Sequence, residues 1–216
     1  MKKIILSAII IMASFTSFAQ SEKYVAAMKK NIAQLDSAFS NANLFLSLAN
    51  NFERIATAEK SQWLPYYYAA YCRVNNAFMQ NNPSVNDAAA ELATALINKA
   101  DSLQPNNSEI SCIKSMVASL QMMVNPQARF MQYGAASQKA MAAAMQQDTT
   151  NPRPYMLKGQ GLKYTPEAFG GGCKAASIPL ATAMEKFETF KPASELAPNW
   201  GKTYTQMLVK ECAEIK

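Results

Sequence analysis

The sequence predicts an all-α protein, and three observations carry that expectation. Methionine is plentiful, with 13 residues, while valine occurs six times in 216. Unbranched side chains lose little freedom in a helix and β-branched ones lose more, so this balance favours helix over strand. Ten prolines divide the chain into segments in which apolar residues recur at spacings of three and four, the helix period. No segment alternates with period two for long enough to suggest a strand.

About nine helices follow from this punctuation. The first, near 22–38, places Tyr24, Met28, Ile32 and Leu35 on one face, and the second, near 41–57, places Phe45, Leu48, Phe52 and Ile55. A third, near 62–80, carries Trp63, Tyr67, Ala70, Val74 and Phe78, with Ser61 as its expected N-cap. The fourth, near 85–103, shows Ala89, Leu92, Leu96, Ala100 and Leu103 and stops at Pro105, where no amide is free to continue the ladder. The fifth, near 108–124, is expected to be capped by Ser108 and carries Ile110, Ile113, Val117, Leu120 and Val124. The sixth, near 127–147, carries Ala128, Met131, Ala135, Ala142 and Met145, and the seventh, from Pro152, carries Tyr155 and Leu162. The eighth, near 174–189, shows Ala176, Leu180, Ala183 and Phe187, and the ninth, near 199–214, shows Trp200, Tyr204, Leu208 and Cys212. Short links between helices of similar length predict antiparallel neighbours.

The first nineteen residues read as an address. Lys2 and Lys3 precede an apolar run from Ile4 to Phe15, and Ser17-Phe18-Ala19 supplies small residues at a signal-peptidase site. A run of about twelve residues is too short to span a hydrocarbon core, which needs about 20. The reading is export with cleavage after Ala19, leaving one helical domain over 20–216 and no stable membrane insertion. No cysteine lies near the junction to take a lipid. Removal takes two of the 21 basic residues and none of the 15 acidic ones, so the net charge falls from +6 to +4. The remaining cations are dispersed, Lys29-Lys30 being the densest pair, which argues against a nucleic-acid partner.

Two architectures fit such helices, a closed bundle and a stack of pairs, and repeat signals separate them. Ala93, Ile97, Ala100 and Pro105 follow the spacing A-x3-F-x2-A-x4-P; Met141, Ala144 and Asp148 repeat its later part, and Ala176, Leu180 and Ala183 repeat it again. Trp63 with Tyr67, Ser111 with Ser115, and Tyr155 with Gly159 occupy the W-x3-G positions that open such a unit. Over residues 60–216 the chain resembles exported bacterial tetratricopeptide-repeat proteins with degenerate repeats. The resemblance implies a right-handed αα-solenoid, with residues 20–58 as an N-terminal helical pair packed on its end. It also implies an inner groove lined by Tyr68, Tyr71, Glu109, Met116, Arg153, Gln160 and Lys163, open to a protein or peptide. The Lys/Asn set with which some relatives clamp a peptide carboxylate is not reproduced.

Five of the seven glycines fall within 159–172, and Pro166 to Gly171 resembles a P-x2-[FW]-G-G motif of exported repeat proteins. The segment reads as a tight turn whose Phe169 plugs the core; the alternative is an anion site at Gly170–Gly172 with Lys174. Trp63, Tyr66, Tyr67, Tyr68 and Tyr71 suit core packing, and alternatively a flat-faced ligand or peptide.

Enzymatic chemistry has little to work with. There is no histidine, so the commonest general base and metal ligand are missing. Cys72, Cys112, Cys173 and Cys212 lie far apart in sequence and form no C-x2-C pair, so neither a metal nor a cofactor is expected. Counting outward from the turn near Ser194, Cys173 and Cys212 reach the same level of one antiparallel hairpin, which predicts a disulfide in an oxidising compartment. Cys72 with Cys112 is the weaker pairing, and four reduced, buried thiols are the rival arrangement. The function expected is non-enzymatic: an exported helical-repeat protein binding a protein or peptide partner in the cell envelope. The alternative is a small-molecule-binding accessory of a transport system.

Overall fold

The computed structural model describes residues 22–214. The expected signal peptide over 1–19 and the expected new N-terminus, Gln20, lie outside them. Every regular element among the described residues is helical: α1 (Glu22–Ile32), α2 (Leu35–Ala38), α3 (Ala42–Ala58), α4 (Trp63–Gln80), α5 (Pro83–Leu103), α6 (Ser108–Met122), α7 (Pro126–Arg129), α8 (Ala135–Gln147), α9 (Arg153–Tyr164), α10 (Cys173–Thr189) and α11 (Lys202–Glu214). A π-helical turn, Phe130–Gly134, joins α7 to α8, and a 3₁₀ turn, Glu167–Phe169, lies between α9 and α10.

Two expected helices are broken. The first stops at Ile32 because the Asn31 side-chain amide donates to the Ala27 carbonyl and the backbone then tightens, Gln34 N bonding Asn31 O. The sixth is divided by the π turn. The ninth begins at Lys202 rather than 199, after Gly201 turns the chain at φ +106. Pro179, expected as punctuation, sits inside α10 instead.

The caps are asparagines rather than serines. Asn41, Asn82, Asn107 and Asn125 each accept a backbone N–H of the helix they precede. The start of α4 has no side-chain cap, so Ser61 does not act as one. Ser108 is inside α6, where its hydroxyl donates across to the Ala144 carbonyl of α8.

Consecutive helices from α3 to α6 pack against each other, as do α6 with α8 and each following neighbour to α11. Alternate helices also touch: α4 with α6, α6 with α9, and α9 with α11. The small residues make this possible. Ala90, Ala93 and Ala100 of α5, Ala144 of α8, and Ala176 and Ala183 of α10 are all fully buried. Gly159 of α9 lies so close to α10 that a Cβ there would sit 2.6 Å from Leu180. One apolar core runs from Tyr24 in α1 to Trp200, and a smaller cluster of Ala176, Leu180 and Leu208 holds α11.

The disulfide is present. Cys173 at the start of α10 bonds Cys212 near the end of α11, with Cα atoms 5.1 Å apart, while Cys72 and Cys112 are free and buried. Burial pushes both free thiols well above the usual cysteine range.

Candidate functional site

Helices α4, α6 and α9 present their polar groups to one another at a single buried point. The Arg153 guanidinium is fully buried; its Nη1 donates to Glu109 Oε1 at 2.8 Å and its Nη2 to the Pro198 carbonyl at 2.7 Å. Glu109 also accepts from Asn151 Nδ2 at 2.9 Å and from the Tyr67 hydroxyl at 3.2 Å, and that hydroxyl in turn accepts from Trp200 Nε1 at 2.7 Å. The rings of Phe190 and Trp200 lie 4.8 and 5.1 Å from the guanidinium carbon. Burial pushes the Glu109 carboxyl above its ordinary range, against the opposing pull of Arg153, Tyr67 and Asn151. A buried, nearly saturated network of this kind fixes geometry. It leaves no reactive group facing solvent.

The linker between α10 and α11 is what closes this face. Residues 190–201 run across it: the Tyr68 hydroxyl donates to the Leu196 carbonyl at 2.9 Å, Trp200 packs 4.8 Å from the Tyr71 ring, and Glu195 pairs with Lys29 of α1. Tyr68 also stacks on Phe52 at 5.1 Å, and Tyr71 meets Phe45 edge-on at 6.2 Å. Burial holds the Tyr67, Tyr68 and Tyr71 phenols well above the ordinary tyrosine range.

These placements correct the expected groove. Tyr68 and Tyr71 are core residues under the 190–201 linker, and Met116 is buried among them. Glu109 and Arg153 satisfy each other in the network instead of facing a partner. Gln160 and Lys163 are half-buried against α11, Gln160 donating to the Tyr204 hydroxyl at 3.1 Å and Lys163 pairing with Glu211. Residues 190–201 cover Tyr68 and Tyr71, and α11 covers Gln160 and Lys163.

The glycine loop makes the expected tight turn, but neither the core plug nor the anion site. Gly170 N donates to Glu167 O, Gly171 N to Pro166 O, and Gly172 N to Leu162 O and Thr165 O, so the amides close the turn on itself and none is left for an anion. A Cβ on Gly171 would lie 2.0 Å from the Thr165 carbonyl oxygen, and Gly170 and Gly172 sit at φ +80 and +88. Phe169 does not plug the core; it is 81% exposed, with Tyr164 beside the same turn 62% exposed. A second exposed apolar set, Met123, Phe130 and Met131, lies at the π turn. On α3, Ser47, Asn50, Asn51, Glu53, Arg54 and Thr57 line an open hollow.

No described helix is long and apolar enough to cross a membrane. No family model and no curated protein matches the chain. A solved structure does: the HusA haemophore from Porphyromonas gingivalis, 38% identical, with a TM-score of 0.80 over 92% of this chain and 98% of that one. The chain belongs to the HusA haemophore family. It is an exported protein, and a binding protein rather than an enzyme.

Proposed function

We propose that this protein is an exported carrier of haem or a closely related tetrapyrrole. The observation that supports the reading is the 38% identity with the HusA haemophore across nearly the whole of both chains. This is the small-molecule alternative raised by the sequence, and it displaces the peptide-groove reading, whose groove is occupied by residues 190–201. A protein partner keeps a place in the account as the receiver to which a carrier hands its cargo. The repeat architecture belongs to the same proposal: α3 to α11 make a tetratricopeptide-like stack capped by α1, supported by the contacts between alternate helices and the buried alanines at repeat spacing.

The chain's chemistry constrains how haem is held. With no histidine, nitrogen ligation of the iron by imidazole is excluded. Both free cysteines are buried with raised thiols, and Tyr67, Tyr68 and Tyr71 are committed to internal contacts. Apolar contact with the macrocycle and attraction of its carboxylates by a chain of positive net charge carry the binding.

Titrating hemin into the mature protein tests the proposal. Saturable growth of a shifted Soret band with a Kd of about 1 μM or tighter is expected, with no bis-histidine low-spin signature. Absence of saturable change over a hundredfold range around that concentration contradicts it.

A further inference from the structure

The turn between α9 and α10 is a rigid mount. Four backbone amide donations close it, and the disulfide at Cys173 anchors the residue that follows. On that mount stand two exposed aromatic rings, Phe169 and Tyr164, the second tethered through its side-chain hydrogen bonds to Tyr204 and Lys163. Burying a phenylalanine stabilises a fold by about 1.5–3 kcal/mol, so an ordered turn that holds one outward forgoes that gain. The charge around it is unbalanced: residues 158–174 contain Lys158, Lys163 and Lys174 against Glu167 alone. Lys163 is held by Glu211, with its ammonium 4.5 Å from the Tyr164 ring centroid. Lys174 and Lys158 are exposed. The other exposed apolar set, at the π turn, lacks this complement, because its adjacent cation, Arg129, is committed to both oxygens of Asp87 at 2.6 and 2.9 Å.

We propose that the closed turn over residues 162–174 is the edge at which the protein grips a dianionic tetrapyrrole. Phe169 and Tyr164 lie against the macrocycle face, and Lys174 attracts a carboxylate. This rests on the carrier reading above and adds the location of the site to it. Flat aromatic side chains suit the role because offset stacking on a conjugated ring adds to simple area burial. A mount that is already ordered loses no chain entropy when the ligand arrives.

The test uses the full mature protein and hemin, with four variants followed by Soret titration and by thermal melting. The double variant F169A/Y164A is expected to bind at least about tenfold more weakly, with a melt lowered by no more than a few degrees from the lost Tyr164 hydrogen bonds, since both rings are largely exposed. F169W, which keeps a flat ring on the mount, is expected to bind within about twofold of the parent. K174Q is expected to weaken binding a few-fold at low salt and less at high salt. F130A/M131A, at the π turn, should leave the affinity unchanged. Full affinity in F169A/Y164A, or a larger loss in F130A/M131A, overturns the assignment while the carrier reading stands. Failure of the parent protein to bind hemin overturns the carrier reading itself, before any variant is compared.

Discussion

The buried face that α4, α6 and α9 share, called the inner face below, and the turn between α9 and α10 use aromatic residues in opposite ways. On the inner face, Tyr67, Tyr68, Tyr71 and Trp200 each meet another ring or a hydrogen-bond partner, and the chain's own linker covers them. At the turn, Phe169 is held in solvent by a backbone whose three glycine amides donate to the turn's own carbonyls and to Leu162. The first region resembles a binding groove in composition and is a core. The second is composed like a simple turn, yet it displays an unburied ring. Aromatic content alone therefore does not locate a site; the accounting of what each ring and amide already touches does.

Breaking the inner face should have the largest effect. Arg153→Ala leaves the Glu109 carboxylate buried without its cation, which costs about 3–5 kcal/mol. At about 2–4 °C per kcal/mol for a domain of this size, the melting temperature should fall by about 10 °C or more in calorimetry. Tyr71→Ala removes a fully buried ring between Phe45 and Trp200 and should cost about 3–5 kcal/mol, read by urea unfolding. A loss below about 1 kcal/mol for either variant would mean that residues 190–201 do not seal this face.

The disulfide comes next. Its sequence separation of 39 gives about 4 kcal/mol on the chain-entropy model, so C173S/C212S should destabilise by up to that amount. Leu208 of α11 belongs to the small cluster and Tyr204 is its link to the main core, so with the disulfide gone hydrogen exchange should quicken first in Lys202–Glu214. Uniform loss of protection across all helices would instead join α11 to the main cooperative unit.

A smaller, pH-dependent effect sharpens the contrast. An exposed phenol ionises near 10, as it does in the unfolded chain, while burial raises the phenols of Tyr67, Tyr68 and Tyr71 well above that value. The native state therefore retains protons that the unfolded state releases. Stability is complete below pH 10 and declines as pH rises beyond it. Tyrosinate absorbance near 295 nm from Tyr67, Tyr68 and Tyr71 should accordingly appear only with unfolding. A single phase near pH 10 in the folded protein would place those tyrosines in water.

Much of this fold is legible in the sequence because its helices are amphipathic. Leu48 and Phe52 of α3 and Ala93, Ile97 and Ala100 of α5 are buried where spacings of three and four place them. The Cys173–Cys212 level follows from hairpin counting, since antiparallel helices keep register. What is less legible depends on distant segments. The stretch from Pro65 to Cys72 contains no charged residue, and a helix without a polar face is buried all round. That signal marks Tyr68 and Tyr71 as core, yet it does not identify their cover, because residues 190–201 have no periodicity and reach α4 only through tertiary contacts. The turn at Gly170–Gly172 is evident from composition, whereas the outward direction of Phe169 depends on backbone bonds to Leu162 and Thr165. The serine caps fail for a local reason: Asn107 reaches the free amides of α6 one residue before Ser108 could.

The most direct measurement is amide chemical-shift mapping of the isotope-labelled mature protein with zinc protoporphyrin, a diamagnetic probe with the same two carboxylates as haem. The account predicts perturbations concentrated at Tyr164, Phe169 and Lys174, with the amides of Tyr67 to Tyr71 and Leu196 to Trp200 unmoved. Perturbations centred on Tyr68, Tyr71 and Trp200 would contradict it by showing that the ligand displaces the linker and enters the inner face.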